Sequence, residues 1–203
     1  MKGGIMAVVA VAVLFAGATW GRPAPPAPHL PPAVVRVLAS AHAQTQRTRL
    51  YDPAYVVLPY PSGDVPADRG VCTDVVIRCL RAGGVDLQRA IHEDMQAHFA
   101  AYPHQWGLRR PDPNIDQRRV PNQQTFFARH GKSLPVTKNG ADYLPGDIVT
   151  WRLPGGLAHT GVVSDAVVAG TNRRAMIHNI EQGAREEDVL FAWAVTGHYR
   201  YFR

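Results

Sequence analysis

The sequence predicts an α+β domain, with N-terminal helices packed on a C-terminal antiparallel sheet. Three observations carry that prediction. Apolar residues recur at helical spacing over residues 32–41, 72–80 and 87–99. Beyond residue 145 the pattern changes to short β-branched and aromatic runs split by turns such as Pro145-Gly146-Asp147 and Pro154-Gly155-Gly156. The chain of 203 residues suffices for one such domain and is short for two.

Taken in order, Met1-Lys2 supplies a positive start, Ile5 to Ala16 is almost wholly apolar, and Ala16-Gly17-Ala18 has the form of a signal-peptidase site. Residues 1–21 are therefore expected to be a signal peptide, cleaved rather than kept as an anchor because the run is short for a membrane span. Residues 22–32 hold six prolines in eleven, the composition of a stiff linker. A single domain is expected over 33–203. Pro32 opens a helix whose inner face is Ala33, Val34, Val37, Leu38 and Ala41. Residues 51–70 read as a loop rich in turn signals, and a helix follows from Cys72 until Gly83-Gly84 stops it. A second helix is expected over 85–103, with Leu87, Ile91, Met95 and Phe99 as a core stripe. Residues 102–121 read as irregular, and Asn122 as the cap of a short helix ending at Gly131. Strands are expected at 148–151, 159–164 and 175–180, with one or two more over 189–195 and 198–202, as a meander.

Composition excludes some functions. The net charge of +6 is spread in local pairs such as Arg118-Arg119, not in a basic run interleaved with aromatics, so no nucleic-acid partner is expected. Asp112, Asn114 and Asp116 imitate a calcium loop, but Gln117 and Gln123 stand where its glycine and closing glutamate belong. Gly131-Lys132-Ser133 is no phosphate loop, because Phe126 replaces the first glycine. No cofactor and no metal are expected.

Two cysteines remain, seven residues apart on one helix, so about 10 Å separates their Cα atoms and no disulfide joins them. Cys79, on the apolar side, reads as core. Cys72 stands in the first helical turn, where unpaired N–H groups favour a thiolate; position alone leaves it open between packing and nucleophilic chemistry. A nucleophile needs a base and a group that orients the base. His159 and His178 fall on successive strands, where cross-strand partners lie about 5 Å apart.

Gly70-Val71-Cys72-Thr73-Asp74, Pro145-Gly146-Asp147-Ile148-Val149, His159-Thr160-Gly161-Val162-Val163 and Ile177-His178-Asn179 resemble the motifs of NlpC-type and CHAP-type cysteine peptidases and amidases. Residues 51–201 resemble more closely the YijF-like bacterial family of unknown function, through residues 71–76, 112–116 and 197–201. The resemblance implies a papain-like α+β core, Cys72 as nucleophile, His159 as base and acid, and His178 as orienting residue. Asn179 or Glu181 are alternatives for that third place. Asp74, where those enzymes carry a glycine, together with Asn179 and Tyr60, is a candidate supporting residue. The Cys72 N–H is placed in an oxyanion hole. The expected function is an exported, periplasmic or envelope cysteine hydrolase acting as a monomer on an amide bond of peptidoglycan. It would touch the membrane only through the N-terminal segment. The alternatives are a silent envelope-binding module and, ranked last, a metal site of Cys72, His159 and His178.

Overall fold

The structure is a computed structural model and describes residues 30–202. The signal-like segment and most of the proline-rich stretch lie outside the described residues.

Helix α1 (Pro32–Arg47) begins on the proline, which a first helical turn accepts because no N–H is needed there, and buries Val34, Val37, Leu38, Ala41 and Gln44. Strands β1 (Leu50–Tyr51) and β2 (Arg69–Gly70) form a short parallel bridge. That bridge folds the intervening loop back and delivers the chain to α2 (Cys72–Gly83). Helix α2 is the axis of the domain, with Val75, Val76 and Cys79 fully buried. Gly84 ends it in the left-handed conformation, at φ 104°. Helix α1 covers one side of α2, and Gln44 Nε2 donates to the Val75 carbonyl at 3.2 Å. Truncating a residue such as Leu80 here would cost about 2–5 kcal/mol.

Helix α3 (Leu87–His98) is capped by the Asp86 side chain and is shorter than the periodicity predicts. Its end tightens into a 3₁₀ turn over Phe99–Ala101, just before Pro103, which cannot donate to a continuing ladder. Helix α4 (Val120–Arg129) begins two residues before the expected cap. Pro121 fits its first turn, and Asn122 turns inward instead, its Nδ2 donating to the Asp116 carbonyl at 3.0 Å. No described helix is long and apolar enough to cross a membrane.

The sheet contains β3 (Ser133–Leu134), β4 (Ile148–Arg152), β5 (Ala158–Val167), β6 (Arg174–Asn179), β7 (Ala184–Glu187) and β8 (Ala194–Tyr199). Their order is β3-β8-β4-β5-β6-β7, antiparallel throughout. Strands β4 to β6 are the expected meander, β7 extends it without having been expected, and β8 returns to pair with β4. The strand expected over 189–195 is a correction. Residues 190–193 form a turn, because Leu190 is drawn beneath the sheet and its carbonyl accepts from Trp151 Nε1 at 3.0 Å. Alternation then gives each face its own core. Ile148, Val162, Ile177 and Tyr199 meet the helices, while Val149, Trp151, Val163 and Met176 pack with Tyr143 and Leu190 on the far face.

Candidate active site

Cys72 opens α2, and its thiol lines a cavity of about 630 Å³. The helix starts there because Asp74, three residues beyond the Val71 cap, accepts the Val71 N–H at 2.7 Å. Gly70 is required just before it: a side chain there would run into Asp74, and its φ of 151° suits glycine. Burial pushes the Cys72 thiol up to about 12. The backbone N–H groups of Thr160, Thr73 and Cys72 itself oppose that rise, and Asp74 adds to it. Thr160 is the residue after His159, so the helix start meets β5 beside the histidine. In the resting protein the site holds a thiol rather than a thiolate.

His159 and His178 are brought together. His159 Nε2 lies 2.9 Å from His178 Nδ1, and His178 Nε2 lies 3.2 Å from Glu187 Oε2. Gly161 makes room for this, since a Cβ there would fall 3.0 Å from the Cβ of His178. Trp151 and Trp193 flank His159, each with its ring centre 5.7 Å away. Burial lowers His159 to about 3, with repulsion from His178 a smaller cause; burial lowers His178 too, against the pull of Glu187. Both rings are therefore neutral near pH 7. An ionised carboxylate only accepts, so His178 Nε2 carries the proton and its Nδ1 accepts from His159 Nε2–H. The lone pair of His159 Nδ1 is left free, and this nitrogen makes no hydrogen bond to any described residue. The chain of bonds thus points a basic nitrogen away from its own supports.

The supporting residues divide. Asp74 is a fixed part of the frame: it holds Arg118 through two bonds of 2.9 and 3.0 Å, and Arg118 donates onward to the carbonyls of Ala54 and Asp52. Asn179 turns to the other side of β6 and donates to the Gly70 carbonyl at 2.9 Å, tying the sheet to the approach to Cys72. Asn179 makes no hydrogen bond to His159, and neither does exposed Glu181; among the described residues the side chain bonded to His159 is His178. Tyr60 packs edge-on against His92 of α3 and does not line the cavity. The loop tyrosine that does is Tyr51, whose phenol is raised by burial and then by the charge of Cys72. The β1–β2 bridge puts it there, a contact across eighteen residues that no local pattern reveals. Glu187 escaped sequence reading with β7 itself, a strand whose Arg185, Glu186 and Glu187 carry no apolar alternation.

A family profile described as Domain of unknown function (DUF1287) matches residues 38–201. The chain belongs to the DUF1287 family. Uncharacterized protein YijF of Escherichia coli (strain K12) is 57% identical over 183 residues, covering 86% of this chain and 89% of that one. A solved structure of NlpC1 from Trichomonas vaginalis aligns with a TM-score of 0.43 and 15% identity, over 82% of this chain and 44% of that one, less than half its length.

In this DUF1287 domain the donor atoms of Cys72, His159 and His178 do not all lie within 4.8 Å of one another. Among the described residues, the three potential ligands whose donor atoms all lie within 4.8 Å of one another are His42, Asp165 and Glu186. The cavity at Cys72 is an open cleft walled by Trp106, Ile115, Val120 and Pro121 on the helical side and by Trp151 and Leu157 on the sheet side.

Proposed function

We propose that the protein is an exported papain-like cysteine hydrolase that cleaves an amide bond in the peptides of peptidoglycan. The observation that carries this reading is the directed chain from Glu187 through His178 to His159, which leaves the His159 Nδ1 unbonded among the described residues on the strand whose next residue, Thr160, meets the helix-borne Cys72 thiol.

The Cys72 thiol, not a preformed thiolate, is the resting nucleophile. Its proton leaves to His159 Nδ1 as sulfur bonds to the substrate carbonyl carbon, so charge develops only with substrate in place. The developing imidazolium is then stabilised by His178 and Glu187, neither of which needs to accept a proton. The Cys72 N–H at the helix start is placed to meet the oxyanion. His159 next gives its proton to the amine nitrogen as the C–N bond breaks. Water, deprotonated by the same nitrogen, hydrolyses the thioester and restores the thiol.

Incubating purified peptidoglycan with residues 33–203 and with its Cys72→Ala variant, followed by mass spectrometry of released fragments, tests the reading. Fragments from the wild type alone are expected, and their masses identify the bond. Equal release by both proteins, or none by either, would remove the hydrolase and leave a binding module of the same fold. Export is tested by the N-terminal residue of the protein recovered from the periplasm, expected to lie just after residue 18.

A further inference from the structure

Arg118 and Arg119 are neighbours in sequence and opposites in the structure. Arg118 is buried and fully engaged by Asp74 and two carbonyls. Arg119 lines the same cleft as Cys72, yet its guanidinium donates no hydrogen bond to any described residue. Its Nη1 is buried without a partner. The nearest carboxylate, Asp116, stands 4.0 Å away, beyond hydrogen-bonding distance, and its Oδ1 is likewise unpartnered. Burial holds the Asp116 carboxyl up at about 6, against the hydrogen bond from the Asp112 N–H and the charge of Arg119.

The guanidinium is nevertheless held in place. Its Cζ lies 4.3 Å from the centre of the Trp106 ring, a cation–π contact that anchors the side chain on the wall of the cleft. Trp106 is itself half exposed, so the pair stands on the cleft wall and not in the core. Arg118, Arg119 and Arg152 line this cleft, and among the described residues no aspartate or glutamate does. Beyond Trp106 and Arg119 the groove continues past Arg109 and Arg110, with Asp112 engaged by Tyr55 and Asn114. A guanidinium that makes no hydrogen bond to a described residue, in a cleft that no described aspartate or glutamate lines, is matched by a carboxylate, which can take two N–H groups at once.

We propose that Arg119, seated on Trp106, binds a free carboxylate of the peptide in the Cys72 cleft, making the protein selective for acidic over amidated peptides. This deepens the function proposed above and rests on its reading of the cleft as the peptide site. Arg118 is excluded from that role because its donors are used by the frame, and Arg152 is exposed and lacks a platform.

Binding to the Cys72→Ala protein tests this without turnover. The probes are muropeptides released from peptidoglycan, with amino groups acetylated, and the same muropeptides after their carboxylates have been converted to methylamides. The free acids are expected to bind at least about tenfold more tightly. Adding Arg119→Gln should erase that ratio while leaving the affinity for the methylamides unchanged, and Arg119→Lys should restore part of it. Equal affinity for the two probes, no binding of either, or a uniform loss for both on Arg119→Gln would overturn the proposal. An unchanged thermal midpoint for Arg119→Gln separates lost recognition from lost structure. If the acids bind selectively while the wild type releases no fragments, the carboxylate site stands and the hydrolase does not. Fragment release without selectivity is the reverse result.

Discussion

His198 on β8 and His159 on β5 are both buried histidines of one sheet, and their surroundings differ in one respect. His198 bonds through Nε2 to Asp147 at 2.8 Å, its Nδ1 lies 3.2 Å from the Pro135 carbonyl, and Tyr143 stacks on it with ring centres 4.2 Å apart. Asp147 is in turn held by Arg200 and accepts the Leu144 N–H, so every polar group ends on another within the protein. His159 is supported as firmly on one side, by His178 and then Glu187, but its Nδ1 has no partner among the described residues. One network closes on itself and the other stops one atom short. A closed network fastens β8 to the turn before β4, whereas an open one stores the capacity to take a proton. Burial and hydrogen bonding alone therefore do not distinguish chemistry from architecture; the unused nitrogen does.

The comparison is broken most directly by exchanging the roles. His159→Gln, which keeps most of the buried volume and an N–H able to meet His178 Nδ1, is expected to reduce fragment release by about a thousandfold or more with a much smaller loss of stability than His198→Ala, since a general base is typically worth 10²–10⁴. His198→Ala is expected to do the opposite. It leaves buried Asp147 with one fewer partner and opens a space beneath Tyr143, so stability should fall by about 3 kcal/mol while the folded fraction keeps its rate per molecule within a few-fold. Both are read by chemical denaturation and by fragment release normalised to folded protein. A His198 variant that lost rate at unchanged stability would erase the distinction.

This contrast also shows what the sequence could carry. Cys72 was legible because helical periodicity and Gly83-Gly84 fix where α2 starts and stops, and because a first-turn position has a chemistry of its own. His159 and His178 were legible because they fall on successive β-branched runs, 159–164 and 175–180, and because the motifs around them resemble those of cysteine peptidases. That helices pack on an antiparallel sheet followed from the same two periodicities. What stayed hidden depends on contacts between segments without periodicity. Tyr51 and Tyr60 share one loop and similar surroundings in sequence, and only the pairing of β1 with β2 decides which of them faces Cys72. Arg119 and Trp106 come from residues 102–121, which read as irregular, and their mutual placement is a matter of tertiary packing. Glu187 lies on a polar edge strand, and its importance appears only through the partner it meets, His178. Local rules describe elements; the loop residues that complete the site are chosen by the fold.

Glu187 gives the smallest expected effect and the finest test of the difference between the two networks. Its carboxylate is about a third exposed, so water screens much of its charge, unlike the fully enclosed Asp147 beside His198. It nevertheless opposes the effect of burial on His178 and fixes which nitrogen of that ring carries the proton. Glu187→Gln removes the charge but keeps an oxygen able to accept the His178 Nε2–H, so the direction of the chain is preserved. Without the charge, both His178 and, through it, His159 become harder to protonate. The acid limb of the pH–rate profile should therefore move to lower pH, by less than about one unit, and the rate at neutral pH should fall only several-fold as the developing imidazolium loses support. Glu187→Leu, which cannot accept the proton and frees His178 to reverse its tautomer, should cost more than Glu187→Gln at every pH. Equal effects of the two substitutions would mean that charge alone matters and that the hydrogen-bond direction through His178 does not set the base.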